Sequence, residues 1–101
     1  MAVHHELCFG CGRQNLFGLL AELARTDDGA VSGRWFIKQD HQGPEPGVAH
    51  PGLIACALLE AISHASGRIP AEVGSFLELR ATSAGAVASL DGRTVASAKA
   101  G

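Results

Sequence analysis

The sequence predicts an α+β fold, an antiparallel β-sheet with one helix laid on its face. Three observations predict it. Stretches of alternating polarity lie on both sides of a single stretch with helical period. A loop at 41–52, crowded with Gly and Pro, separates the first β region from that helix. An Asp-Gly pair at 91–92 sits between two apolar runs, the strongest short hairpin cue in the chain.

Each element can be justified in order. Residues 1–18 are rich in turn formers, as in "CFGCGRQNLFGL". Residues 19–25, "LLAELAR", suit a strand or a helix. "TDDGA" reads as a hairpin loop, and "AVSGRWFIKQD" alternates behind it as a strand. From Leu53 the period changes. Ile54, Leu58, Ala61, Ile62 and Ala65 recur at three- and four-residue spacing, one face of a helix that Gly67 would stop. "SFLELRATS" at 75–83 alternates again, and "AVASL" and "TVASAKA" flank the Asp-Gly turn.

Composition narrows the class. The chain has 101 residues, which favours one domain spanning 1–101. It is 47% hydrophobic and 18% charged, the balance of a globular protein. Net charge is −2 and no basic run exists, so neither nucleic acid nor an anionic membrane is the expected partner. The run from Gly52 to Ala65 is broken by Glu60 and His64 and is too short to span a bilayer. "MAVHHELCFGCG" lacks the pattern of a signal peptide, and Cys8, Cys11 and Cys56 suit a reducing compartment, so a cytoplasmic location is expected. With 5% aromatics the core must come from Leu, Val, Ile and Ala, which makes an oligomer plausible.

The chemistry gathers at "GVAHPGLIACALLE". A helix N-terminus carries unpaired N–H groups and partial positive charge. Aimed at a thioester carbonyl, such donors stabilise the oxyanion formed on hydrolysis. Glycine lets a substrate approach the backbone, and a carboxylate along the helix can serve as base or nucleophile. His50, the Pro51-Gly52 corner and Glu60 supply those parts. A plainer reading is open beside it: Pro51 suits the first turn of any helix, His50 a cap, and Glu60 with His64 an i,i+4 pair worth about 0.2–0.5 kcal/mol.

A pattern runs through the chain. Cys8, Phe9, Gly10, Cys11, Gly12, Asn15, Gly18 and Leu19 form "CFGCG…N…GL". His41, Gln42 and Gly43 form "HQG", and Pro46, Gly47, Val48, His50 and Gly52 follow as "PG-V-H-x-G". Leu58, Glu60 and Ala61 match an "LLDEA" type of helix. Pro70, Val73, Gly74, Leu77, Leu79, Arg80 and Ala81 follow, and then "DGRTVASAKA". In this order the motifs resemble the hot-dog-fold thioesterase superfamily, in its phenylacetyl-CoA thioesterase-like branch. The resemblance implies an antiparallel sheet wrapped around one long central helix. It further implies hydrolysis of a small aromatic or short- to medium-chain acyl-CoA without metal or cofactor, and active sites shared across a homodimer or homotetramer. Taken together with the chemistry of the helix start, it gives Glu60, His50 and Gly52 as the expected catalytic groups and Gln42, His41, Gly47 and Pro51 as the expected substrate contacts.

The chain departs from that pattern. Pro51 stands where the family's first corner Gly offers its N–H, and proline has none. The family's acid falls seven residues after the second Gly, which here is Leu59, with Glu60 about 100° further around the helix. A strand expected between Gly67 and Pro70 has no residues to form it, and Ser83–Val87 looks trimmed. The first expectation stays an acyl-CoA thioesterase, and these departures motivate an alternative beside it: a catalytically degenerate hot-dog protein that binds an acyl thioester, or a partner protein, without turnover.

Cys8-x-x-Cys11 also permits a zinc reading, which needs four ligands. His4, His5 or His41 would complete the set, since Cys56 lies in the helix. Trp35 and Phe36 suit a core or a dimer interface, and any CoA contact would fall to dispersed Arg and Lys.

Overall fold

The computed structural model of the chain describes residues 1–66 and 71–99. The described residues form an α+β structure, with one α-helix and two antiparallel sheets among them. The chain divides into two compact units, residues 1–67 and 68–101. The expected helix stop at Gly67, and the expected loss of a strand between Gly67 and Pro70, lie outside the described residues.

The first unit is built on a hairpin. Strand β1 (Glu22–Arg25) pairs with β2 (Val31–Arg34), with Leu23 opposite Gly33 and Glu22 opposite Arg34. The ambiguous stretch 19–25 is thus a strand from Glu22, entered through Leu20 at φ 54°. The turn closes through Thr26 N–H to the Ala30 carbonyl at 2.9 Å and Gly29 N–H to the Thr26 carbonyl at 3.0 Å. Strand β2 is shorter than its alternation suggested. Its partner ends at Glu22, so residues after Arg34 have no ladder to join, and Trp35 instead tilts against His41 with ring centroids 5.3 Å apart.

The N-terminal turns are stitched to this hairpin by backbone bonds. Ala2 N–H donates to the Leu23 carbonyl at 2.6 Å, Leu19 N–H to Phe9 at 2.7 Å and Ala21 N–H to Gly10 at 2.8 Å. These bonds place Cys11, Leu19, Ala21 and Leu23 in the unit's small buried core. After a 3-10 turn at Gln39–His41, the loop folds back through a bridge between Gln42 and Ala49 and enters helix α1, Pro51–Ala65. The helix starts two residues before the expected Leu53 because proline and glycine fill its first turn, where no intrahelical N–H bond is required. No helix among the described residues is long and apolar enough to cross a membrane.

The second unit is a meander of β3 (Glu78–Thr82), β4 (Gly85–Leu90) and β5 (Arg93–Lys99). Asp91 and Gly92 both have positive φ, 51° and 78°, the geometry a tight two-residue hairpin requires. The single sheet expected from the sequence is thus divided into ladders of two and three strands among the described residues.

Candidate functional site

The helix corner is locally closed. His50 is the N-cap, and its Nδ1 accepts from Gly52 N–H at 2.9 Å. Leu53 N–H donates to the His50 carbonyl at 2.9 Å, and Ile54 N–H reaches the same oxygen at 3.3 Å. Pro51 offers no donor. The amides that would face an oxyanion are therefore engaged within the corner.

The loop residues hold each other. Gln42 Oε1 accepts from Gly47 N–H at 2.7 Å, and Gly47 has φ 80°, a conformation that favours glycine. His41 is 2% exposed; its Nδ1 accepts from Lys38 N–H at 2.9 Å, and its carbonyl accepts from His50 N–H at 2.8 Å. Nε2 of His41 is buried without a hydrogen-bond partner among the described residues. So His41, Gln42, Gly47, His50, Pro51 and Gly52 form one polar corner, with a cleft of about 300 Å³ lined partly by Gln42, Gly47 and Ala49.

Glu60 is not part of that corner. It lies eight residues beyond Gly52 along α1, about 12 Å at the helical rise. Its carboxylate sits among residues of the N-terminal turns. His64 Nε2, one turn on, is 2.9 Å from Oε2, and His4 Nδ1 is 3.1 Å from the same oxygen. Cys8 Sγ is 3.7 Å from Oε1. His4 and His64 stack with centroids 3.8 Å apart and planes 10° from parallel. His4 Nδ1 also faces both sulfurs, at 3.6 Å from Cys8 and 3.5 Å from Cys11. One donor atom from each of His4, Cys8, Cys11 and Glu60 lies within 4.8 Å of every other.

Local sequence explains this convergence. Gly12 N–H bonds the Cys8 carbonyl at 2.8 Å, curling Cys8-x-x-Cys11 into a tight turn with both sulfurs on one side. Gly10 passes so close to Glu60 that an added Cβ would fall on its carboxylate. Ser63 Oγ donates to the Glu60 carbonyl at 2.7 Å, which leaves its lone pairs for His4 Nε2 at 3.3 Å.

The electrostatics follow the packing. Burial is the first cause pushing the Cys11 thiol up to about 12; the Glu60 carboxylate adds to it, and the His4 amide opposes it. For Glu60, burial acts to raise the pKa. Hydrogen bonds from Cys11 and His64 and the charges of His4 and His64 outweigh it, and the carboxyl is held below its ordinary value.

A groove of about 400 Å³ occupies another face of α1, lined by Ile54, Leu58 and Ala61 of the helix and by Ala21, Leu23 and Trp35 of the hairpin side. Comparison with protein-family models, with curated proteins and with solved structures finds no match to this chain.

Sequence reasoning reached Cys8, Cys11 and His4, and it noted Glu60 with His64 as a helical pair. It did not join the two groups, and it missed Ser63. Of the three histidines weighed as partners for the cysteines, the structure brings up His4; His5 caps Leu7 N–H at 3.2 Å, and His41 lies in the corner. The available signal was the spacing His4-x-x-x-Cys8-x-x-Cys11 opposite Glu60-x-x-Ser63-His64.

Proposed function

We propose that this chain is a hot-dog-like protein that binds an acyl thioester without turnover. The groove between α1 and the hairpin carries this reading. Its walls are largely apolar, and its volume of about 400 Å³ falls in the range of small-molecule sites. Ile54, where the groove meets the start of the helix, follows Gly52 by two residues. A small aromatic or short- to medium-chain acyl group suits such walls, with the thioester towards Gln42, Gly47 and Gly52. The engaged amides at His50–Ile54 favour binding over hydrolysis, because catalysis of acyl transfer needs donors aimed at the developing oxyanion.

The order of motifs along the chain favours a second reading, an acyl-CoA thioesterase with Glu60 as base or nucleophile. It requires the His50 ring to release Gly52 N–H and Glu60 to leave its partners for the corner. A homodimer or homotetramer belongs to both readings, since a facing subunit would complete the site.

Titration of the chain with a panel of aromatic and aliphatic acyl-CoAs, beside thiol release, separates them. Saturable binding with no thiol release is expected. Ala57→Phe, which fills the groove, should weaken binding at least about tenfold, the equivalent of 1.4 kcal/mol. Thiol release lost in Glu60→Gln would establish the enzyme instead. Failure of every acyl-CoA to bind would end both readings.

A further inference from the structure

We infer that His4, Cys8, Cys11 and Glu60 bind a structural zinc ion that ties the N-terminal turns to helix α1. The first argument is geometric. Zinc binds sulfur at about 2.3 Å and nitrogen or oxygen at about 2.0–2.1 Å, so the edges of a tetrahedron around it run about 3.6 Å for sulfur to nitrogen or oxygen. Three of the six edges match it: 3.6 Å from His4 Nδ1 to Cys8, 3.5 Å to Cys11, and 3.7 Å from Cys8 to Glu60 Oε1; all four donor atoms lie within 4.8 Å of one another, so small side-chain shifts would close the shell. Four protein donors would close the coordination shell, which marks a structural rather than a catalytic centre.

The second argument concerns how the donors are held. A metal-bound imidazole is normally fixed by a hydrogen bond from its other ring nitrogen. Ser63 supplies it: its hydroxyl donates to the Glu60 carbonyl and so accepts from His4 Nε2–H, which turns Nδ1 towards both sulfurs and the Glu60 carboxylate, with Oε2 at 3.1 Å. A ligating carboxylate is likewise normally held from outside. His64 binds Oε2 at 2.9 Å and leaves Oε1 for the metal. The His4 amide donates to Cys11 Sγ at 3.2 Å, which suits a thiolate. Two thiolates with one imidazole and one carboxylate are a donor set that suits tetrahedral zinc. Binding releases the two thiol protons to solvent. The site lies on a different face of α1 from the acyl groove and does not depend on the thioester reading.

The test uses the full chain, reduced and stripped with a chelator, then titrated with zinc and separately with cobalt(II). One equivalent of zinc should bind, and cobalt should give tetrahedral visible bands with thiolate-to-metal charge transfer. Cys8→Ser and Cys11→Ser should each weaken zinc binding by more than 100-fold and diminish the charge transfer. Ser63→Ala, which keeps all four ligands and loses the hydroxyl that holds His4 from outside, should cost roughly 10–100-fold. Cys56→Ser and His5→Gln should bind as the parent does. Glu60→Gln keeps both thiols, and its circular dichroism reports whether it is folded. A folded Glu60→Gln with parental affinity would overturn the assignment. So would less than half an equivalent of zinc, absence of charge transfer, or a Cys56→Ser loss equal to that of Cys8→Ser.

Discussion

Glu60 shows how much a residue's meaning depends on what folds against it. Read along the helix, it is an acid with a histidine one turn away. In the structure its side chain is 10% exposed and meets His4, which lies 56 positions earlier in the chain. That contact was not legible in the sequence, because no periodicity links an irregular N-terminus to a helix face. Cys8-x-x-Cys11 was legible as a pair, since its spacing is local. Gly10 tests the contact directly. Gly10→Ala should displace the carboxylate, which ends a flexible side chain, and cost about 1 kcal/mol through the His64 hydrogen bond. Urea denaturation of the metal-free chain reads that loss, and an unchanged midpoint would mean that Glu60 does not sit there. A second residue carries a pH signature. Asp28 accepts from the Thr26 hydroxyl and from Ala30 N–H at 3.1 Å, and these bonds hold its carboxyl below the usual value. A depressed carboxyl stabilises the turn above its unfolded-state pKa and loses that contribution as pH falls through the folded one. An NMR titration of the Ala30 amide should therefore show its midpoint below pH 3.8, and a midpoint at or above that value would remove the bond.

At the scale of elements, the sequence was most legible where one residue dictates the backbone. Asp91-Gly92 marked a hairpin because both residues must adopt positive φ, and the strands on either side follow from it. The helix was legible from its three- and four-residue spacing. Its first turn was not, because Pro51 and Gly52 look like loop until the cap is seen. The end of β2 was illegible for a different reason: alternation continues through Ile37, yet a strand lasts only as long as its partner. The Asp-Gly turn offers a clean measurement. Around Gly92 a Cβ would meet open space, so Gly92→Ala costs only its left-handed backbone, about 1–2 kcal/mol. Gly29 has the same freedom at φ 85° in the other hairpin and should show a similar cost. Equilibrium unfolding of the two variants checks this, and a neutral Gly92→Ala would mean that the turn has another form in solution.

For the whole molecule the controlling quantity is burial. Among the described residues, the hydrophobic side chains with little exposure are Cys11, Leu19, Ala21, Leu23 and Ala49, a small core. Within the first unit Phe17 is 89% exposed, Phe36 80% and Leu58 63%. Burying one such side chain is worth about 1.5–3 kcal/mol, comparable with a large share of a domain's net stability. A chain of this kind gains most by covering those residues with a second copy, in keeping with the proposed oligomer. Self-association then follows mass action: anything that binds only the folded state raises the unfolding midpoint as its concentration rises. Sedimentation velocity should give at least twice the monomer mass at micromolar concentration, and the thermal midpoint should climb on dilution series run from low to high protein. Phe36→Ser should lower the association constant while leaving zinc stoichiometry unchanged, because Phe36 is outside the His4–Glu60 cluster. A monomer whose midpoint is independent of concentration would show that the exposed side chains do not serve self-association. The stability of the first unit would then rest on its stitched backbone and on the metal.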